Sequence, residues 1–306
     1  MAKRDFLSLT DFSGAEIDSV LKRAVELKRD LKKGKVPQPL AGKSLGLIFD
    51  KASTRTRVSF EVGIAQLGGK SFYLDPGTTQ IKRGEPIADS ARVLSRYLDG
   101  IIIRTFEQSI VEEWARWSSV PVINGVTDLL HPCQIVCDLL TIVEKKGDYR
   151  GQKVAYIGDG NNVANTWIQA AGLLDFPLSL ACPKGYAPDT AVVKVALKTA
   201  KGRIEICEDP KRAAAGADVL YTDVWASMGQ EKESEKRKKS FKGYQINMGL
   251  VELAKPGAVV MHCLPAHPGE EITAEVYEGP QSVVFDQAEN RLHGQKAILE
   301  FLLKKD

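Results

Sequence analysis

Apolar positions along the chain follow two rhythms, short continuous runs and longer stretches at helical spacing, and they alternate. Ile17, Val20, Leu21, Ala24, Leu27 and Leu31 recur at helical spacing, with Thr10, Asp11 and Ser13 as candidate caps. A short strand over Leu45–Phe49 follows, running into the cluster STRTR. VSFEVGIAQLGG then has helical spacing through Phe60, Ile64 and Leu67 and stops at Gly68-Gly69. KSFYLD reads as a strand, ADSARVLSRYLDG as a helix, IIIRTF as a strand ending at Arg104, SIVEEWARWSS as a helix and VPVINGV as a strand. The rhythm restarts with the helix HPCQIVCDLLTIVEKKG and then KVAYIGDGNNVANTWIQAAGLL, a strand, glycine turn and helix. LSLACP, ADVLYTDVW, AVVMHCLPA and SVVFDQ supply further strands.

Strands alternating with amphipathic helices specify a mainly parallel α/β sheet with helices on its faces. The restart predicts two doubly wound α/β domains, 1–135 and 148–286. The long helix after His131 links them, and a C-terminal helix within 287–306 crosses back to the first. Most of the polar clusters fall where strands end, the place where open α/β sheets bind ligands.

Composition adds exclusions. In 306 residues, Lys and Arg number 42 against 39 Asp and Glu, a net charge of +3. No global basic field draws this chain to nucleic acid, so any anion preference is local. No apolar run approaches the ~20 residues of a membrane span. The N-terminal stretch lacks the apolar core of a signal peptide, and five cysteines without a CxxC pair fit reduced thiols, so a cytoplasmic home is expected. The charge-rich stretch GQEKESEKRKKSFKG, 229–243, reads as a solvated helix or loop, and its flanking glycines also suit a mobile lid.

Five clusters carry candidate chemistry. STRTR sits where a strand gives way to a helix, so main-chain N–H groups, the hydroxyls of Ser53, Thr54 and Thr56, and the fork of Arg55 can meet an anion. Alone, the pattern fits a capped helix with a spare arginine equally well. HPCQ opens a helix, and His131 and Gln134, three apart, share its first turn and can donate to a carbonyl oxygen. A metal reading of His131, Cys133 and Cys137 lacks a fourth ligand. GDGNNVA matches a dinucleotide turn, but the following strand, LSLACPKGY, offers Lys184 and no carboxylate for a ribose. Its amides, Asn161 and Asn162, suit a small zwitterion instead. DVWASMG and HCLP end two later strands. Asp223 can bind an ammonium group, and Cys263 is either a nucleophile or a pocket wall.

Together STRTR, IIIRTF, HPCQ, DGNN, DVWASMG and HCLP, in this order and spacing, resemble the aspartate/ornithine transcarbamoylase superfamily, and within it the ornithine carbamoyltransferase branch. The resemblance spans nearly the whole chain. It implies transfer of the carbamoyl group of carbamoyl phosphate to the δ-amine of L-ornithine, giving citrulline and phosphate in arginine biosynthesis, or the reverse in catabolism. It implies that Ser53, Thr54, Arg55, Thr56 and Arg104 hold the phosphate, with Gln80 of TTQIKRGE reaching the phosphate site of a neighbouring subunit. His131 and Gln134, with Pro132 and Cys133 of the same run, would engage the carbamoyl group. Asn162, Asp223, Ser227 and Met228 would hold ornithine, and Cys263, Leu264 and Arg291 would complete the reacting centre. On this resemblance Arg55, His131, Asp223, Cys263 and Arg291 are the catalytic candidates. A homotrimer or a multiple of one is expected, with no metal, organic cofactor, nucleic acid or membrane partner. The alternatives are a transcarbamoylase with another amine acceptor, a nicotinamide-dependent dehydrogenase using the GDGNNVA turn, and a non-enzymatic nucleic-acid-binding module.

Overall fold

The computed structural model describes residues 3–75, 77, 84–200, 203–226 and 233–304. It divides into two compact units, Met1–Leu140 with Asn290–Asp306, and Thr141–Glu289. The first unit contains α1 (Gly14–Lys32), β1 (Ser44–Phe49), α2 (Thr54–Gln66), β2 (Lys70–Leu74), α3 (Ile87–Leu94), β3 (Gly100–Arg104), α4 (Gln108–Trp117) and β4 (Val122–Val126), and then enters α5 (Pro132–Lys146). The second contains β5 (Val154–Ile157), α6 (Asn162–Leu174), β6 (Leu178–Ala181), α7 (Thr190–Ala196), β7 (Ile204–Cys207), α8 (Pro210–Ala214), β8 (Val219–Thr222), α9 (Ser234–Ser240), α10 (Met248–Val251), β9 (Val259–His262) and α11 (Ala274–Tyr277). The last helix is α12 (Val284–Leu303). The division falls inside α5 and inside α12, so both helices contribute residues to both units.

Each unit is built on a wholly parallel sheet, ordered β2-β1-β3-β4 in the first and β7-β6-β5-β8-β9 in the second. The chain lays strands down on one side of β1 and then on the other, and does the same around β5. Right-handed crossovers therefore place helices on both faces of each sheet. The two α/β sheets that the alternating pattern predicts are present, and the central strands are buried along their length, as strands covered on both faces must be. The reversal also creates a crevice at the carboxyl end of each sheet, between β1 and β3 and between β5 and β8.

Local chemistry sets the element ends. Ser13 accepts from the Glu16 N–H while Glu16 reaches back to the Ser13 N–H, a reciprocal cap that starts α1. Gly68, at φ +86°, ends α2 where a side chain would meet Gln38 at 2.8 Å. The packed centre of the first unit gathers Ile48, Ile101, Ile103, Val111, Trp114 and Val122, and that of the second gathers Ile157, Leu220, Phe241, Ile246, Val260 and Ile272.

One sequence expectation needs correction, and one strand is absent from the sequence reading. SVVFDQ is not a strand: Ser282 makes a single bridge to Val260, and helix α12 begins at Val284, three residues ahead of the predicted 287. A short apolar run carries no period that separates strand from helix, and here the exposure of Phe285 shows that the run was never fully buried. IEIC, conversely, forms β7, an edge strand whose mixed burial hides it from a search for continuous apolar runs.

Candidate active site

In the first unit, β1 ends at Phe49 and the chain enters α2 through the STRTR cluster. Ser53 caps α2, its hydroxyl accepting from the Thr56 N–H at 3.3 Å, which leaves Thr54 and Arg55 exposed on the first turn. Arg104 ends β3, the strand beside β1 across the reversal. The anion candidates from STRTR and IIIRTF thus converge on one crevice edge. Lys51, buried in the connection after β1, pairs with Asp128 and lies 4.0 Å from the centre of the Phe106 ring, tying together the loops that follow β1, β3 and β4.

Thr56 and Gln134 face inward. Arg291, on α12 and 4% exposed, donates from Nη2 to Thr56 Oγ1 and from Nη1 to Gln134 Oε1, each at 2.7 Å. Gln134 in turn donates to Asp138 Oδ1 at 2.8 Å. Arg291 is therefore a cross-brace between the first turns of α2 and α5. His131 is buried at the start of α5, and burial, reinforced by the positive charges of Arg291 and Arg104, holds its pKa well below the ordinary imidazole value. Its imidazole is neutral at physiological pH. Cys133 points into the core and donates to the Asn124 carbonyl; burial pushes its thiol up to about 12, so that side chain is a packing group.

In the second unit, the turn after β5 and the segment after β8 meet at the other reversal. Asn161 caps α6, its Oδ1 accepting from the N–H groups of Val163 and Ala164 at 2.9 and 3.2 Å. Its Nδ2 is thereby directed at Asp223 Oδ2, 2.7 Å away. Asp223 Oδ1 accepts from the Val224 N–H at 2.8 Å and from the Cys263 thiol at 3.0 Å. The ends of β5, β8 and β9 thus contribute to one polar cluster of amide, carboxylate and thiol. Asn162, the first residue of α6, is half-buried beside it in sequence. The sequence singles out Asn161 with Asn162 as amides suited to a small zwitterion, but the resemblance implies only Asn162 as an ornithine contact; asparagine's preference for the N-cap position is the signal for the place Asn161 takes.

Behind Cys263, His262 and Glu271 are fully buried. His262 Nδ1 accepts from the Leu264 N–H at 2.9 Å, so Nε2 carries the proton and donates to Glu271 Oε1 at 3.0 Å. Leu264 sits in the left-handed region at φ 61°. The donor atoms of Asp223, His262 and Cys263 lie within 4.8 Å of one another. Both His262 ring nitrogens are engaged, so hydrogen bonding accounts for this grouping.

The glycine turn has a steric explanation of its own. A Cβ on Gly160 would stand 2.3 Å from the Pro188 nitrogen and 2.6 Å from the Tyr186 carbonyl oxygen. The backbone that approaches Gly160 is the protein's own 186–188 loop, where a dinucleotide site brings in pyrophosphate. Gln80, Ser227 and Met228 lie outside the described residues.

Residues 4–144 match the family model "Aspartate/ornithine carbamoyltransferase, carbamoyl-P binding domain", and residues 150–302 match its "Asp/Orn binding domain". The chain is 56% identical over 301 residues to the ornithine carbamoyltransferase of Syntrophus aciditrophicus, covering 98% of this chain and 100% of that protein. It is 57% identical to that of Geobacter metallireducens, covering 98% and 99%. The solved ornithine carbamoyltransferase of Pyrococcus furiosus superposes with a TM-score of 0.94 at 51% identity, covering 99% of this chain and 97% of that one.

Proposed function

The chain belongs to the aspartate/ornithine carbamoyltransferase family, and from that premise we infer that it transfers the carbamoyl group of carbamoyl phosphate to the δ-amine of L-ornithine. The relatives support this reading, and so does one local observation. The polar cluster of the second unit centres on a buried carboxylate, Asp223, ringed by Asn161 and Cys263. A carboxylate there attracts a cationic amino-acid acceptor and repels the side chain of aspartate.

In this reading Ser53, Thr54, Arg55, Thr56 and Arg104 serve carbamoyl phosphate, Arg55 and Arg104 as charge-assisted donors to the leaving dianion. Thr56 acts by holding Arg291, and Pro132 and Cys133 act by fixing the start of α5. His131, neutral, and Gln134 engage the carbamoyl group, with Arg291, Cys263 and Leu264 at the reacting centre. Asn162 and Asp223, with Ser227 and Met228, serve ornithine. The neutral δ-amine attacks the carbamoyl carbon, the bond from that carbon to the oxygen bridging it to phosphorus breaks and phosphate leaves with that oxygen, and the amine proton passes to a phosphate oxygen. Oriented donors at the carbonyl oxygen lower this barrier because negative charge grows there.

Domain roles follow: 1–135 for carbamoyl phosphate and 148–286 for ornithine, with α12 returning to the first unit. A homotrimer or a multiple of one, with Gln80 serving a neighbouring subunit, and a cytoplasmic setting within arginine metabolism complete the reading. No helix among the described residues is long and apolar enough to cross a membrane. The test is citrulline formation from ornithine and carbamoyl phosphate, with aspartate as the rival acceptor. Arg55→Ala should lower kcat/KM for carbamoyl phosphate by about a hundredfold or more, the size of one lost transition-state donor. Carbamoyl-aspartate as the product, or an Arg55→Ala variant of wild-type rate, would reject the assignment.

A further inference from the structure

Arg237 lies in the middle of the charge-rich stretch that the sequence marks as solvent-facing, yet it is 7% exposed. Its environment is specific. Nη1 donates to Asp159 Oδ2 at 2.9 Å and to the Trp225 carbonyl at 2.8 Å, and Nε faces Glu233 Oε2 at 3.4 Å. The guanidinium carbon stands 4.9 Å from the centre of the Tyr186 ring. Glu233 lies on the same helix segment, four residues before Arg237, and the other three partners belong to three different strand ends. Asp159 lies in the turn after β5, Tyr186 in the loop after β6 and Trp225 in the segment after β8, and β6, β5 and β8 are neighbours in the sheet.

Two of the three carry the polar cluster. Asp159 is two residues from Asn161, and Trp225 is two residues from Asp223. The Asp159 carbonyl also accepts from the Tyr156 hydroxyl, which reaches Asn161 Oδ1 as well. One planar cation with a fixed fork can satisfy a carboxylate, a carbonyl and an aromatic face together, which an ammonium cannot match in geometry. Phe241, fully buried against Trp225, Tyr186 and Tyr244, anchors the same helix and fixes where Arg237 can reach.

We propose that Arg237 is a positioning residue for the amino-acid acceptor: it clamps the strand-end loops after β5, β6 and β8 to one another and so sets the spacing of Asn161 and Asp223. This rests on the carbamoyl transfer reading above. The clamp acts on the second unit alone, so it bears on the acceptor and leaves carbamoyl phosphate recognition untouched. The buried Asp159 carboxylate is held above its usual range by burial, and the groups facing it are Arg237, Asp223 and Glu233. Arg237 supplies the countercharge that keeps Asp159 ionised and in place near neutral pH.

The experiment compares wild type, Arg237→Gln, Arg237→Lys and Asp159→Asn in citrulline formation, varying each substrate in turn, with thermal melting alongside. Wild-type citrulline formation tests the functional reading by itself, so a failure there is separable from a failure of the clamp. The clamp predicts that Arg237→Gln raises the ornithine KM tenfold or more with the carbamoyl phosphate KM within twofold of wild type. Arg237→Lys should recover only part of that loss, and Asp159→Asn should reproduce it in the same direction. Equal changes in both KM values, an unchanged ornithine KM, or full recovery by lysine would overturn the proposal. If Arg237→Gln fails to fold, the lysine and Asp159→Asn variants decide on the same criterion.

Discussion

Asn161 performs two tasks with the two ends of one amide, and two substitutions separate them. Asn161→Ala removes both. The lost helix cap costs about 1 kcal/mol, and the lost hydrogen bond to a carboxylate about 1.5–3 kcal/mol, so urea unfolding should show a loss of about 3 kcal/mol. Asn161→Asp keeps the cap, because a carboxylate oxygen accepts from Val163 and Ala164 as the amide oxygen does. It replaces the donor aimed at Asp223 from 2.7 Å with a second carboxylate. Two such charges roughly 4 Å apart repel by about 4 kcal/mol at an effective dielectric near 20. That repulsion drives apart the turn after β5 and the segment after β8, which the wild-type amide holds together. Citrulline formation at subsaturating ornithine should fall at least about tenfold relative to wild type, with a loss of unfolding free energy of up to about 4 kcal/mol. An aspartate variant of wild-type activity and stability would refute the geometry, as would an alanine variant of wild-type stability.

Other outcomes follow from the same contacts. Arg291→Met should cost about 3–5 kcal/mol in unfolding free energy, the range for a broken buried polar brace, and lower kcat/KM for carbamoyl phosphate at least a hundredfold; a stable and active variant would remove Arg291 from the site. His131 has a folded pKa below its unfolded value, so the stability tied to its neutral form is present above pH 6.5 and lost as pH falls, when the unfolded chain takes up a proton that the folded one refuses. Wild type should therefore lose up to about 1.4 kcal/mol per pH unit below 6.5 relative to His131→Gln, and identical acid unfolding of the two proteins would contradict it. Gly160→Ala should destabilise by about 3 kcal/mol, the upper range for overpacking, because its neighbour is backbone and cannot rotate away; an unperturbed melting curve would show that the loop yields.

The sheets were legible because buried parallel strands are short apolar runs between amphipathic helices, and β1, β3, β5, β8 and β9 all have that form. β7 was not, since an edge strand alternates and includes Glu205 and a half-exposed Cys207. SVVFDQ looked like a strand because helix α12 opens on a run that composition alone cannot phase. At the site, the polar clusters at strand ends were visible as motifs, but the direction of each side chain was not. Thr56 shares its motif with the exposed Thr54 and Arg55 and yet turns inward to Arg291, and within the wholly buried HPCQ run Cys133 turns to the Asn124 carbonyl while Gln134 meets Arg291. Arg237 was hidden by its surroundings: in a stretch of alternating charges nothing local marks the one guanidinium that folds back into the sheet end. Long-range pairs of this kind are fixed by tertiary packing, and spacing in sequence does not encode them.

The missing side chain at Gly160 has a consequence for anyone recombining this protein with its relatives. The turn at 158–161 and the loop at 186–188 are in backbone contact, so neither can be exchanged on its own terms. A chimera that imports a new connection between β6 and α7 inherits a steric conflict at Gly160, and through Asn161 it disturbs the polar cluster around Asp223 without altering a single residue in it. The smallest portable piece of this site is therefore the turn at 158–161 together with the loop at 186–188, and the hydrogen bond from the Asp189 N–H to Asn165 Oδ1 at 2.9 Å ties the helix after the one to the helix start after the other.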